Sequence, residues 1–405
     1  MRILVTAIVD LRKTAHNRLH QFIKHLRRNH EITVLSINDW WKAGETDVQL
    51  YAQGLEGILK GVNIRHFTER RISPVYQEAI SIATLGRILK EIHYADFDVH
   101  LNYSSLLSGY SVAKRMDAAG IRSVYDVADD LPAMVRSSPQ MPAIAKPIAG
   151  RLGERAFKKN VAIARQITVI SESLAHSLRL PPSKTAIVPN GVDIELFVGR
   201  SSPQLREKLG LERAFVLGYV GVLREWVDLE PVFAAVQGLD ETKCAAKVLV
   251  VGEEGGLDKN KTLAQRYGLA DQVIFTGTVP YVQVPEYVSC MDICLLPFKK
   301  DAVSENAVPL KLFEYMACQK PVISAPLAGV RQAVGDRVVY ASDASELGQK
   351  VMELCENRDL RTEMGLQGRG FVEENYSWVK ACTRLEEILS EVAKGERGQR
   401  TGGER

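Results

Sequence analysis

The sequence predicts an α/β protein built from two doubly wound domains, each a parallel sheet flanked by helices. Three observations carry this reading. Short β-rich apolar runs alternate with segments of helical periodicity, as parallel strands joined by crossover helices require. The alternation restarts after residue 200, and a chain of 405 residues exceeds the size at which a single core stops growing. Between the two series stands VPNGVDIELF, where Asn190-Gly191 supplies a turn with positive φ and so marks a linker.

In the first series RILVTAIV is a strand, and NRLHQFIKHLRRNH follows with Leu19, Phe22, Ile23 and Leu26 on one side of a helix. EITVLSI, VHLNYS (99–104), SVYDVAD (123–129), QITVIS (166–171) and TAIVP (185–189) are the further strands. The second series reads FVLGYVG, KVLVVG, QVIFTG, DICLLPF, PVISA and VVYA. Domains are therefore expected at 1–188 and 195–375. SWVKACTRLEEILSEVAK is an amphipathic terminal helix with Trp378, Cys382, Leu385 and Leu389 along one face, and the polar, Gly-rich 395–405 is expected to be disordered.

Composition is that of an ordinary globular protein, 46% hydrophobic and 25% charged, and a net charge of +3 gives no argument for nucleic acid. The six cysteines, Cys244, Cys290, Cys294, Cys318, Cys355 and Cys382, form no C-x-x-C pair. They read as buried thiols of a reducing compartment, with Cys290 and Cys294 as a metal pair the alternative. The opening apolar run is too short for a signal peptide, and no segment approaches the roughly 18 apolar residues of a membrane span, so a cytoplasmic protein is expected.

The stretch SENAVPLKLFEYMACQKPVIS carries the strongest chemical signal. Pro309 opens a helix and Gln319-Lys320-Pro321 ends it. Lys311 then falls in the first turn, where the helix dipole disfavours a cation by roughly 0.3–1 kcal/mol. Backbone N–H groups and an ammonium at the same end are what an anion requires. The alternative is a solvated lysine paired with Glu314 one turn on. In DVADD, Asp126, Asp129 and Asp130 offer carboxylates at a strand end, able to orient a hydroxyl or stabilise oxocarbenium charge, unless Asp126 serves as a strand cap. DLRKTAHNR places Arg12, Lys13, His16 and Arg18 after the first strand, either to close over phosphates or as an ordinary charged loop. DFD (96–98) imitates a metal-binding D-x-D but precedes a strand, and no metal is expected. Lys24, Arg27 and Arg28 on the first helix, with Arg151, Arg155, Lys158 and Lys159 in RLGERAFKKNVAIAR, suit an anionic lipid surface or, equally, the outer fringe of helices packed on a sheet.

VPNGVDIELF, GYVGVLREW, VIFTGTVPYVQVPEYVSCMDICLLPF and PLKLFEYMACQKPVIS, in that order, resemble glycosyltransferase family 4, with NHEITVLS and VYDVADDLP as less specific matches. The resemblance implies GT-B architecture: two Rossmann-like domains facing a cleft, with the terminal helix (376–394) crossing back to the N-terminal, acceptor-binding domain. It implies retaining, metal-independent transfer of a sugar from a UDP- or GDP-sugar to a sugar, lipid-linked or glycan acceptor, in polysaccharide, glycolipid or glycoprotein-glycan synthesis. No cofactor is expected, since the nucleotide-sugar is a substrate; the inner membrane face is the expected place for any peripheral attachment.

By the same resemblance Gly221, Arg224, Gly277, Val279, Asn306, Leu310, Lys311 and Glu314 bind the donor, with Glu314 on the ribose. Asp129, Asp130, Glu305 and Lys311 are the catalytic candidates, and Arg12 and Lys13 close over the phosphates. The chain departs from the family pattern in places. The position eight before Glu314 holds Asn306, with Glu305 one place off. Val222 and Val227 replace a basic pair, TAIVDLRKTAHNR replaces a diglycine loop, and Ala128 stands where members often have a histidine. Lys311 and Arg224 are expected to supply the missing charge. The rival readings are a GT-B nucleotide-sugar epimerase and a non-catalytic nucleotide-sugar-binding relative; a dehydrogenase lacks its G-x-G-x-x-G.

Overall fold

A computed structural model describes residues 1–39, 49–50, 53–72, 74–137, 144, 146–200, 202–252 and 257–395. The chain divides into two units, one made of Met1–Pro189 with the chain from Val379 onward, the other of Asn190–Trp378. Each is an α/β, Rossmann-like unit.

The first unit holds β1 (Arg2–Ala7), β2 (Glu31–Ser36), β3 (Asn63–His66), β4 (Val99–Tyr103), β5 (Ser123–Val127), β6 (Gln166–Val169) and β7 (Thr185–Ile187). They form one parallel sheet in the order β3-β2-β1-β4-β5-β6-β7. Strand order reverses between β1 and β4, the place where an open α/β sheet leaves a crevice at its carboxyl edge. Helices cover both faces, so the strands read as continuous apolar runs. Leu4, Leu35, Leu85, Val112 and Met116 form part of the core on one face.

The helix Arg18–Leu26 starts where the Asn17 side chain accepts from the N–H groups of Leu19 and His20. Its stripe of Leu19, Phe22, Ile23 and Leu26 is at most 1% exposed. That stripe is core, so the lipid-facing reading of this helix is corrected: its apolar face is spent on the fold. The terminal helix Trp378–Lys394 belongs to the first unit from Val379. Cys382, Leu385 and Leu389 are buried, and the Cys382 thiol donates to Gln21 O at 3.6 Å. One turn on, the Glu386 carboxylate meets His25 Nε2 at 2.9 Å and His30 Nε2 at 2.7 Å.

The second unit holds β8 (Phe215–Val220), β9 (Ala246–Val251), β10 (Val273–Phe275), β11 (Ile293–Leu296), β12 (Val322–Ser324) and β13 (Val339–Tyr340). All are parallel, in the order β10-β9-β8-β11-β12-β13, with the reversal between β8 and β11.

Several expectations change in detail. β3 was not foreseen; it is an edge strand with Ile64 its one buried residue, so no apolar run announces it. Gly191 does not take positive φ; a Cβ there would stand 2.7 Å from the Trp378 backbone nitrogen, and glycine is needed for close approach. Asp98 accepts from the Arg2 N–H at 2.8 Å and Asp96 pairs with the Arg2 guanidinium at 3.2 Å, so both carboxylates of the D-x-D imitation have structural partners. All six cysteines are free thiols, and all but Cys355 are buried. Among the described residues no helix is long and apolar enough to cross a membrane. The tail expected to be disordered lies, from 396, outside the described residues.

Candidate active site

Three neighbouring strands of the second sheet run out into glycines with positive φ: Gly221 (+128°) after β8, Gly252 (+120°) after β9 and Gly277 (+72°) after β10. The Gly221 N–H donates to Val251 O at 2.8 Å, and the Gly252 N–H to Gly277 O at 2.9 Å. This leaves a bare backbone ledge at the carboxyl edge. A Cβ on Gly221 would collide with the Lys311 amine, so the missing side chain makes room for that cation.

Lys311 lies on the helix Leu310–Ala317. Pro309 is its cap, with extended ψ of 141°, so the helix begins one residue later than its sequence suggests. Proline brings no side-chain acceptor, and no side chain caps this end. At the other end Gln319 turns into the left-handed region (φ +58°). Lys320 N then bonds to Tyr315 O at 3.0 Å and Gln319 N to Met316 O at 3.0 Å, a Schellman closure. Tyr315 ties the helix to the sheet, its hydroxyl accepting from Val220 N at 2.7 Å.

The Lys311 ammonium donates to Tyr219 Oη at 2.7 Å and stands 4.1 Å from the centroid of that ring and 5.5 Å from the Phe298 ring. Tyr219 Oη passes its own proton to Val222 O at 3.0 Å. Among the described residues no carboxylate lies within ion-pairing distance of this amine. Withdrawal from water pushes it down to about 7, with Glu314 pulling the other way. Glu314 is 7% exposed, and its Oε1 accepts from Tyr281 Oη at 2.9 Å. Burial raises its carboxyl to about 7, against the Tyr281 hydrogen bond and the Lys311 charge. Neither residue is the solvated surface group of the alternative reading, and they are not directly paired.

Arg224 is exposed in the loop after β8. That loop is joined to the one after β11: Lys299 N donates to Trp226 O at 2.8 Å and Asp228 N to Pro297 O at 2.7 Å. Phe298 is thereby held against Lys311. Glu305 faces Lys300 at 3.8 Å, while its Oε2 is buried with no hydrogen-bond partner. Asn306 and Val279 are half-buried, and beside Val279 the Thr278 hydroxyl is also buried and unpartnered.

The remaining candidates belong to the first unit. Asp129 is exposed just beyond β5. Asp130 Oδ1 accepts from Ala133 N at 2.8 Å and so holds the start of the helix Leu131–Ser137. Asp126 is fully buried and takes a two-pronged contact from Arg18 at 3.1 and 3.0 Å, with Thr168 Oγ1 donating at 2.6 Å. Arg18 also donates to Val188 O and Pro189 O at 2.7 and 2.8 Å. Asp126 and Arg18 are therefore occupied inside the fold, neither facing an acceptor nor part of an exposed basic loop. Arg12 is exposed after β1, its N–H donating to Asp10 Oδ1 at 3.1 Å. Lys13 reaches back to Asp10 at 3.7 Å. Tyr219, Tyr281 and Phe298 are absent from the sequence-derived candidates; the one signal available was the tyrosine two residues before Gly221 in GYVG.

Two doubly wound parallel sheets, with an ammonium and a carboxylate gathered at the carboxyl edge of the second, define a GT-B protein. Solved structures with this fold include Anabaena HepE in complex with UDP and glucose (TM-score 0.74, 18% identity, 96% of this chain and 100% of that one). The sucrose-phosphate synthase of Thermosynechococcus elongatus has a TM-score of 0.75 at 16% identity, over 97% of this chain and 99% of that one. WaaG, a glycosyltransferase involved in lipopolysaccharide biosynthesis, has 0.68 at 15%, over 96% and 99%. Residues 15–196 match the model of Glycosyltransferase Family 4, and residues 201–371 that of Glycosyl transferases group 1.

Sequence relatives include an uncharacterized glycosyltransferase of Methanocaldococcus jannaschii, 26% identical over 60% of this chain and 61% of its own length. The putative teichuronic acid biosynthesis glycosyltransferase TuaH of Bacillus subtilis is 30% identical over 45% of this chain and 48% of its length. A GDP-mannose-dependent phosphatidylinositol monomannoside mannosyltransferase of Mycolicibacterium smegmatis is 24% identical over 52% and 57%. The chain thus spans about half the length of the relatives it matches, or somewhat more. It belongs to the family 4 type of glycosyltransferases.

Proposed function

We propose that the protein moves a sugar from a UDP- or GDP-sugar to an acceptor hydroxyl with retention at the anomeric carbon. The observation that carries this is the Lys311 ammonium. It is half-buried, has no carboxylate partner among the described residues, and stands beside the glycine ledge at a helix start that no side chain caps. A diphosphate is the kind of group such a place accommodates, because its charge is met by a cation and N–H groups already in position. Glu314, held by Tyr281, accepts the two ribose hydroxyls. Gly277 and Val279 lie under the base, Leu310 and Arg224 add to the phosphate contacts, and Glu305 or Asn306 touches the donor sugar.

In the reaction the acceptor oxygen bonds to the anomeric carbon on the face from which the diphosphate departs. The bond from that carbon to the phosphate oxygen breaks, and the departing diphosphate takes the acceptor proton. The chain's part is positioning and stabilisation of leaving-group charge. Asp129 and Asp130 orient the acceptor, and Arg12 and Lys13 close over the phosphates. The counter-charge comes from Lys311 and the helix end, so a divalent ion is not required, and turnover is expected to survive a chelator. Six free thiols fit a cytoplasmic setting. On the helix Lys146–Ile163, Ile148 and Leu152 are 63% and 50% exposed beside Arg151, Arg155, Lys158 and Lys159. That mixture supports docking on an anionic membrane that carries a lipid-linked acceptor.

Melting curves with UDP, GDP and ADP test the donor reading, since a ligand of the folded state raises its melting point. A rise with UDP or GDP supports it, and no rise with any of the three overturns it. Asn306 in place of the usual glutamate favours one rival, a relative that binds the nucleotide-sugar without transfer. Tight binding with neither transfer nor hydrolysis would establish that rival.

A further inference from the structure

We propose that Tyr219 is a positioning residue, fixing the Lys311 ammonium where the donor diphosphate is received; this rests on the donor reading above. A lysine carries its charge on a flexible stem, and something must hold it if the charge is to be pre-arranged. Tyr219 does so with two contacts from one immobile side chain. It is fully buried, its oxygen accepts a hydrogen bond from the amine at 2.7 Å, and its ring centroid stands 4.1 Å from the same nitrogen. The phenol proton is committed to Val222 O, which turns the oxygen's lone pairs toward Lys311.

The chemistry of the acceptor matters. A carboxylate at this point would neutralise the ammonium and compete with the incoming diphosphate. A phenol orients the cation and leaves its charge available. Burial keeps that phenol protonated, raising its pKa well above the usual 10. Phe298 closes a second side, and Gly221 leaves the ledge side without a side chain. Among the described residues, the titratable groups that act on the amine are Glu314 from its own helix and Tyr219 from β8. Arg224, from the following loop, acts on Tyr219, and Tyr281 on Glu314.

A pH signature follows. Burial lowers the amine to about 7, and only its charged form attracts a diphosphate. Affinity should therefore fall as pH rises through that point, by up to about tenfold per unit. Removing the phenol oxygen takes away a group that favours the charged form, so the break moves to lower pH.

The experiment is calorimetric titration of the full chain with UDP and with GDP, and with uridine and guanosine as phosphate-free controls, between pH 6 and pH 9. Wild type, Tyr219→Phe, Lys311→Met and the double variant are compared, with circular dichroism and melting curves for each. Tyr219→Phe is expected to weaken nucleoside diphosphate binding about tenfold near neutral pH. It should leave nucleoside binding unchanged and shift the pH break downward. In the Lys311→Met background, where diphosphate affinity no longer falls with pH relative to nucleoside affinity, the tyrosine change should have no further effect. Equal diphosphate affinity in Tyr219→Phe, equal losses for nucleoside and diphosphate, or additive effects of the two changes would overturn the proposal while the donor reading stands. If wild type binds neither UDP nor GDP, the donor reading fails and this proposal with it. Should Tyr219→Phe not fold, a fall with rising pH in diphosphate affinity relative to nucleoside affinity that persists in Lys311→Met would still refute the assignment.

Discussion

Lys311 and Glu314 lie one turn apart with opposite charge, yet each is held by a tyrosine from elsewhere in the chain. The arrangement keeps both charges uncommitted. Lys311→Ala is expected to lower turnover at least about tenfold, some 1.4 kcal/mol of barrier, with the fold intact by circular dichroism. Unchanged turnover would remove Lys311 from the mechanism. Glu314 gives a stability prediction. Its folded carboxyl is raised from 4.5 to about 7, so between those values the folded chain holds more proton than the unfolded one. Stability from this residue is therefore present at low pH and is lost as pH rises to about 7. Lys311 acts in a different window: depressed from 10.5 to about 7, it makes stability rise with pH between those values. Glu314→Gln, which can still accept from Tyr281, should melt close to wild type near pH 4.5 and gain on it up to about pH 7. A gap that is constant across this range would contradict the assignment. Lys311 could be singled out from its sequence, because a cation at a helix start is locally anomalous. Tyr219 and Tyr281 could not, since they reach this helix from 92 and 33 residues away.

At the scale of elements, Arg18 and Asp126 join the first helix, β5, β6 and the stretch Val188–Pro189 in one buried ion pair. Removing one partner leaves a buried charge uncompensated, so Arg18→Ala is expected to destabilise the first unit by about 3–5 kcal/mol. Urea unfolding followed by far-UV circular dichroism measures this, and the double variant Arg18→Ala, Asp126→Ala should lose less than the sum of the two. In the second unit Gly221→Ala places a Cβ against the Lys311 amine on a residue with φ of +128°. A cost of about 1–3 kcal/mol is expected, with loss of UDP or GDP binding in the same titration. Most strands were legible because central parallel strands are apolar on both faces. Asn63–His66 was not, being an edge strand with one buried side chain. Periodicity found the stripe Leu19, Phe22, Ile23, Leu26 but not what covers it: amphipathic helices on a sheet and on a lipid surface share one pattern. The glycine at 191 was legible as special and misread as a turn, because close approach of Trp378 is a tertiary fact.

For the molecule as a whole, the exposed face of Lys146–Ile163 predicts sedimentation with anionic vesicles that weakens with added salt. Ile148→Asp with Leu152→Asp should reduce the bound fraction several-fold while leaving melting unchanged; equal binding to zwitterionic vesicles would argue against an electrostatic dock. The terminal helix has a different reach. Because the segment from Val379 completes the unit that begins at Met1, the second unit is inserted into the first along the chain. A ribosome must emit all of Asn190–Trp378 before the partner of Gln21 emerges. Nascent chains halted anywhere in that interval leave the seat of Cys382, Leu385 and Leu389 open, a sticky apolar surface that persists throughout translation of the insert. Biogenesis of the first unit is therefore expected to lean on holdase chaperones for longer than that of the second, although most of its residues are made first.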